Sequence, residues 1–565
     1  MKKLCIPFCL ALVFGAGAEV KAQIQSRGEV QDQEFVIRKD RVLTLPTQPR
    51  IFEKLPVLPQ PKGLSDFNYQ VNFYELNLPP VKLEAEPVQK NYRQERIDLY
   101  PGFLKAGYGN FASPLLEARF MATEVYDWNY AIDLRHQSFG KGPVLAEESK
   151  ESHSTLGGSA SYFMDQVELF GGLRWAQDSY SFYGVDSAFY NNPNLEFMGF
   201  DGNVLNTVKI EAGIRDIEKT GPVSYEGKIN FRNFKDSYFV NENEFGLNAK
   251  GKFRPSDDWT GNLGFEYFFT NTEDELYQGN RTYFAIRPQV AYQYEAFNFS
   301  AGLNIISEND SIPGKSSDFR IFPNLKASYQ FAEEFGFFGE FSGDVQRNTY
   351  YSFVMQNPFL GPSEQLLNTV NNYKLAGGIE GQFQGNFHYK AGIDISRFNQ
   401  YHFFVNSGAD TSRFEIVYDD KVSVFNINAE LGLKLSSIYS LNSRLDIFQY
   451  DLNQQQEAWH RPTWQLGINN QVTPFKQLLI QANVNVMGGL KGRGYLSPSD
   501  AAAMLPYPVV KLKTIADLQL KADFKITEKI GVFAEGNNLL NAQNTRWLNY
   551  PVRGVQLIGG AWLKF

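Results

Sequence analysis

Residues 516 to 526 read Ala516-Asp517-Leu518-Gln519-Leu520-Lys521-Ala522-Asp523-Phe524-Lys525-Ile526. Every even position is apolar and every odd position is polar or charged, a period of two that puts one chemistry on each side of an extended strand. Val223, Tyr225, Gly227, Ile229 and Phe231 alternate likewise with Ser224, Glu226, Lys228, Asn230 and Arg232. So do Trp259, Gly261, Leu263, Phe265, Tyr267 and Phe269 with Thr260, Asn262, Gly264 and Glu266. The oily side of such a strand needs cover, either a second sheet in a soluble sandwich or lipid around a membrane barrel.

Composition favours lipid. Aromatic residues make up 15% of the 565, beside 47 Gly, while mean hydropathy stays at −0.35. Apolar surface is abundant but never gathered: beyond the N-terminus no run approaches the ~18–20 apolar residues of a membrane-spanning helix. A net charge of −8 gives no footing for nucleic acid.

From Phe103 onward the strand-like stretches are joined by two kinds of connection in strict turn. Very short ones stand near 125, 165, 221, 257, 296, 332, 386, 440, 476 and 528; mostly longer ones cover 141–153, 185–205, 272–281, 349–371, 406–411, 453–461, 492–511 and 542–552, with short exceptions near 112 and 240. This spacing predicts about 22 antiparallel strands, an even number, as in bacterial barrels with short periplasmic turns and longer external loops. Closure leaves no strand edge unpaired in lipid, where an unsatisfied backbone group costs several kcal/mol. The fold class expected is all-β, a transmembrane antiparallel barrel over residues 102–565. The polar stripe would face the lumen, with Glu226, Lys228, Arg232, Asp517 and Lys521 as candidate lining residues.

The N-terminal residues set the compartment. Met1-Lys2-Lys3, an apolar stretch from Leu4 to Ala18 and Val20-Lys21-Ala22 have the layout of a secretory signal, residues 1–22, with cleavage expected after Ala22. Both cysteines, Cys5 and Cys9, lie inside it, so the exported chain has no thiol for disulfides, nucleophiles or metal. Residues 23–101 hold nine prolines, which remove backbone donors and prevent a continuous sheet. They are expected to form an extended periplasmic arm.

At the C-terminus, Asn537-Asn538-Leu539-Leu540-Asn541, Tyr550-Pro551, Arg553-Gly554 and a last strand from Val555 to Phe565 together resemble the final hairpin of TonB-dependent receptor barrels. The resemblance implies an outer-membrane barrel in a Gram-negative envelope with both chain ends periplasmic. It also implies a last strand, marked by Leu557, Leu563 and Phe565, that the outer-membrane assembly machinery reads. It does not extend to the N-terminus: family members carry a globular plug and a TonB-contacting box, and residues 23–101 are too few and too Pro-rich for the first and show none of the second beyond a weak Phe35-Val36-Ile37. TonB coupling is therefore not carried over. A barrel this wide must be filled by its loops, its arm or a partner protein.

No catalytic constellation is found. His136, His153, His388, His402 and His460 are scattered, and there is no Gly-x-Ser-x-Gly, His-Glu-x-x-His or phosphate-binding loop. Glu273-Asp274-Glu275 reads as a solvated loop rather than a calcium site. The sequence thus implies no catalytic, cofactor or metal site, and a barrel whose partners are outer-membrane lipids, the assembly machinery and a periplasmic or plug protein. Two functions fit: transport of a solute, or a non-transporting scaffold that recruits a periplasmic partner through the arm. An outer-membrane enzyme would need an acidic residue that nothing in the sequence singles out.

Overall fold

The computed structural model describes residues 100–125, 127–185, 199–217, 221–310, 318–496, 499 and 505–565; the expected signal and the arm through residue 99 lie outside them. One 22-stranded sheet accounts for most of what is described. Each strand pairs antiparallel with its neighbours in sequence, and the first, Gly102–Gly109, pairs with the last, Gln556–Lys564. The seam is finished by Gly102 N–H donating to the Phe565 carbonyl at 2.8 Å and Phe565 N–H donating back at 3.0 Å. The strand count is the one expected from the turn spacing.

The short turns are tight. Asp165 and Glu295 take positive φ, 25° and 47°, as two-residue hairpin connections with the twist of the strands require. Both chain ends of the barrel sit with these turns, at what we call the turn end. The opposite, cap end carries the long connections, which contain three small hairpins: Tyr401–Asn406 with Phe414–Asp419, Lys491–Arg493 with Val509–Lys511, and Thr545–Trp547 with Tyr550–Pro551.

Register fixes what each face carries. Ile210, Phe231, Phe245 and Phe269 are successive cross-strand partners, and Ile210, Phe231, Phe245 and Phe269 are all exposed on the outer wall. Lys209, Arg232, Glu244 and Thr270 form the adjacent inner row. The alternation seen in the sequence is therefore an apolar outside and a charged inside.

The inner face departs from that rule in one respect. Phe170, Phe268, Phe338 and Phe533 point inward, each lying where a Cβ of a neighbouring glycine would stand: Gly213, Gly246, Gly392 and Gly107 respectively. A cation covers each ring, Arg215 at 5.1 Å, Arg347 at 3.9 Å, Lys390 at 3.9 Å and Lys105 at 4.0 Å. Each cation is also paired with a carboxylate, Glu168, Glu244, Glu380 and Glu535 in the same order. Glycine, ring, cation and carboxylate thus recur as a unit that thickens the wall where it lacks side chains.

Among the described residues no helix is long and apolar enough to cross a membrane.

Candidate functional site: a charged lumen under a packed cap

The lumen wall is tiled with ion pairs, most of them between neighbouring strands. Lys228 reaches Glu211 at 3.4 Å, Arg287 bridges Glu266 and Asp344 at 2.8 and 3.1 Å, and Lys374 meets Glu340 at 3.2 Å. Glu226, Lys228 and Arg232 line one cavity together with Lys209, Glu211 and Lys250. Asp517 and Lys521 stand on a separate arc, where Lys521 faces Glu535 at 3.6 Å and Asp517 accepts the Asn538 N–H at 3.0 Å. The five candidate lining residues all lie on the inner face, but the structure does not bring them into one site.

Arg232 differs from the expectation of a water-lined side chain. It is buried, because the connection 347–368 folds inward against this part of the wall. Thr349 caps a short helix, Tyr350–Gln356. Glu242, fully buried on the eighth strand, accepts the Tyr350 N–H at 2.8 Å, the Thr272 hydroxyl at 2.9 Å and Arg232 at 2.8 Å. Arg347 pairs with Glu244, and Arg281 donates to the Asn348 carbonyl at 2.5 Å and to Asn368 at 2.6 Å. Several of the inner wall's buried charges, Glu242 and Glu244 above all, are thus anchors for a loop.

Above this anchor the connections meet from nearly opposite walls. Tyr183 lies between the fifth and sixth strands, Phe359 between the thirteenth and fourteenth, Phe414 between the fifteenth and sixteenth, and Tyr550 between the last two. Phe359 stacks on Tyr550 at 3.6 Å, and Tyr183 meets Tyr550 at 4.9 Å. These residues belong to a buried core with Phe182, Leu205, Phe234, Val240, Tyr350, Phe353, Val354, Leu360, Leu366 and Phe404. At about 1.5–3 kcal/mol for each fully buried large apolar side chain, such a core contributes tens of kcal/mol before chain entropy is charged against it. Ion pairs rivet the edges: Arg413 with Asp201 at 3.3 Å, Lys491 with Glu457 at 2.7 Å, and Arg553 with Glu151.

Polar groups inside the cap are satisfied in specific protonation states. His460 bonds the Phe404 carbonyl through Nδ1 at 2.8 Å and accepts the Leu548 N–H on Nε2 at 3.2 Å, an arrangement only the neutral ring can make. Burial, with Arg546 nearby, lowers its pKa to about 4. His402, also buried and facing Arg461 at 3.0 Å, is held well below its ordinary value. Burial lifts Glu364 to about 8, although the Ile416 N–H bonds it. Beside the cap, burial alone would lower His153, but hydrogen bonds to Asp178 and Glu151 raise it to about 9.

The C-terminal hairpin residues serve this cap. Asn538, at φ 47°, donates to the carbonyls of Ala542 and Arg553 and accepts the Ala542 N–H, closing the turn on itself. Asn541 takes a second positive φ, Leu539 lies against Gly536, and a Cβ on Gly554 would crowd the Asn541 side chain. Tyr550, the partner of Trp547 in its hairpin beside Pro551, is in the cap core. Leu557, Leu563 and Phe565 are exposed on the outer wall.

No protein-family model and no curated protein matches the sequence. Solved structures match over most of the chain. The FrpB iron transporter from Neisseria meningitidis superposes with a TM-score of 0.65 at 10% identity, covering 83% of this chain and 82% of that one. The barrel has the fold of TonB-dependent receptors. The pyoverdine outer-membrane receptor FpvA from Pseudomonas aeruginosa PAO1 matches at 0.63 and 11% identity over 82% and 78%, and the ferric-catecholate import receptor Fiu from K12 E. coli at 0.60 and 10% over 83% and 82%. At such identities the TonB-receptor-like likeness is one of fold.

The cap was not legible in the residue pattern. Residues 349–371 read as a loop, and Thr349-x-x-Ser352 followed by Phe353-Val354 was the available sign of a capped, packed helix. Among the described residues no group of three or more His, Cys, Asp or Glu could hold a metal.

Proposed function

We propose that this chain is an outer-membrane barrel that transports a solute and carries its own closure, with the cap outside and the turn end toward the periplasm. The observation that carries this is the meeting of connections from opposite walls in one apolar core above a charge-lined lumen. The lumen supplies a polar route, and the cap supplies the barrier that a 22-stranded cylinder needs. The exposed apolar outer face supports lipid as its surrounding medium, and the outward Leu557, Leu563 and Phe565 support a last strand available to the assembly machinery.

Opening the whole cap would forfeit a core worth tens of kcal/mol, beyond thermal reach. Passage in this reading uses a local displacement, with most of the cap in place. The same magnitude favours a second reading, a barrel that stays shut and anchors a periplasmic partner recruited by residues 23–101.

Planar-bilayer conductance of the purified chain tests the closure. The intact chain should conduct little, and removal of residues 350–366 should produce a large steady current; a large ungated current from the intact chain would overturn the proposal. Cross-linking then separates the readings. Glu151→Cys and Arg553→Cys, joined by a short bis-maleimide in a chain otherwise free of exported thiols, should abolish solute flux if the barrel transports by parting this edge of the cap. Flux that the cross-link leaves unchanged would mean that passage does not part this edge of the cap, whereas no flux before cross-linking together with loss of a co-purifying partner on deleting residues 23–101 would favour the anchor.

A further inference from the structure

One arc of the lumen wall is neutral. The eighteenth strand, Trp464–Phe475, and the nineteenth, Leu478–Gly488, hold no charged residue on either face. On the first, Leu466 and Ile468 alternate with Gln465, Asn469 and Gln471; on the second, Ile480, Val484 and Val486 alternate with Gln481, Asn483 and Asn485. Register turns the carboxamides inward, because Gln481 is the partner of lumenal Lys521, and Gln471 is the partner of Gln481. One row is unbroken over four strands. Asn442 on the seventeenth, Tyr439–Asp451, faces Asn469, Asn469 faces Asn483, and Asn483 faces Gln519 on the twentieth, Ile515–Lys525. Charge returns on the flanking strands, where Arg444 pairs with Glu430 and Asp446, and Lys521 with Glu535. Gln519, at the end of the row, donates to Asp517 at 2.7 Å. Asn442, Asn469, Asn483 and Asn485, by contrast, have no side-chain partner among the described residues, and Asn442, Asn469 and Asn485 are exposed.

We propose that this field binds an uncharged oligosaccharide, and that this class is the solute of the transport reading, on which the inference rests. Three features select it. A charged solute would give up hydration on these two strands without meeting a counter-charge, which the ion-paired arcs could offer it. Carboxamides donate and accept from one group, as sugar hydroxyls do in return. The row repeats that group at each strand spacing, about 4.8 Å, so its complement carries hydroxyls along its length rather than at one end. The chain's own residues 23–99 fit this surface less well, because they carry 22 charged side chains that a neutral field cannot pair.

Equilibrium dialysis of the full chain in lauryldimethylamine oxide, a detergent without sugar, against labelled maltohexaose or hexagalacturonate tests the field. The neutral hexamer should bind and the anionic one should bind more weakly. The variant Asn442→Val, Asn469→Val, Asn483→Val keeps strand propensity and should lose about tenfold in maltohexaose affinity, the scale of one or two net hydrogen bonds. Should that variant fail to give the fast-migrating form on unheated gels, Asn469→Val alone, at the centre of the row, should lose about fivefold. Absence of maltohexaose binding, equal affinity for the two hexamers, or affinity that survives the substitutions would overturn the inference. Binding that appears only once residues 23–99 are removed would overturn it too, by making the arm the occupant. Flux is read separately on the chain lacking residues 350–366. If that chain passes ions but binds no maltohexaose, the saccharide inference falls and the transport reading stands; if it binds maltohexaose but passes nothing, the site stands and the transport reading falls.

Discussion

Glu242 shows how a single residue ties wall to cap. Its carboxylate is buried and receives the helix amide of Tyr350, the Thr272 hydroxyl and Arg232, so removing it strips the loop 347–368 of its anchor and leaves a buried cation short of a partner. Glu242→Leu should loosen the helix Tyr350–Gln356 by about 3 kcal/mol, the low end for breaking a buried pair because Glu244 still faces Arg232 at 3.2 Å. Hydrogen exchange would show this as lost protection confined to the connection, and unchanged protection there would contradict the anchoring role. Glycines make a second test. A Cβ on Gly560 would collide with the Ala106 carbonyl across the closing seam, whereas one on Gly251 meets nothing within 4 Å. Gly560→Ala should therefore impair barrel closure, read as loss of the fast-migrating form on unheated gels, and Gly251→Ala should leave it intact. Lumenal Glu226 and Lys228 were legible from alternation alone, since a period of two assigns faces without any tertiary information. The burial of Arg232 was not, because it depends on a loop more than a hundred residues away in sequence.

Strands and connections differed in how far they could be read. A strand such as 516–526 declares itself because its two faces meet different media, and the structure places it at Ile515–Lys525. The hairpin Tyr401–Asn406 with Phe414–Asp419 flanks the connection expected at 406–411, so the turn spacing runs its two strands on into the wall strands Phe387–Asn399 and Val422–Leu435; the structure separates it as part of the cap, with Tyr401–Asn406 almost wholly buried. The cap elements carry the pH response. His460 has its folded pKa depressed to about 4 against an ordinary 6.5, so the unfolded cap binds more protons and the cap loses stability as pH falls from about 6.5 through 4. His153 is raised to about 9, so its contribution is complete below about 6.5 and is lost as pH rises through 9. Protease resistance of the cap connections should thus be greatest near neutrality and fall on both sides. His460→Gln should weaken the acid limb, part of which buried His402 also carries, and His153→Gln the alkaline limb, to which the raised Glu364 adds. A profile that stays flat from pH 4 to 10 would show that neither ring matters to cap anchoring.

At the scale of the whole molecule, the distribution of charge decides what an opened barrel would pass. The cavity around Glu226 is lined by Arg174, Lys209, Lys228, Arg232 and Lys250 against Asp133, Glu211, Glu226, Glu244 and Glu266, which balance. Much of this charge is held in pairs along the wall, so this cavity concentrates neither cations nor anions. The imbalance lies at the rim. Among the described residues the short turns hold Asp127, Asp165, Asp257, Asp258, Glu295, Glu333, Glu334 and Glu528 against Arg254, Lys476 and Lys529. A negative rim acts only within a screening length, about 30 Å at 0.01 M salt and about 3 Å at 1 M. With residues 350–366 removed, the reversal potential across a KCl gradient should favour potassium at the low concentration and approach zero at the high one. Anion preference at low salt, or a selectivity indifferent to salt, would mean that side chains within the lumen, rather than those of the rim, set the field through which a solute moves.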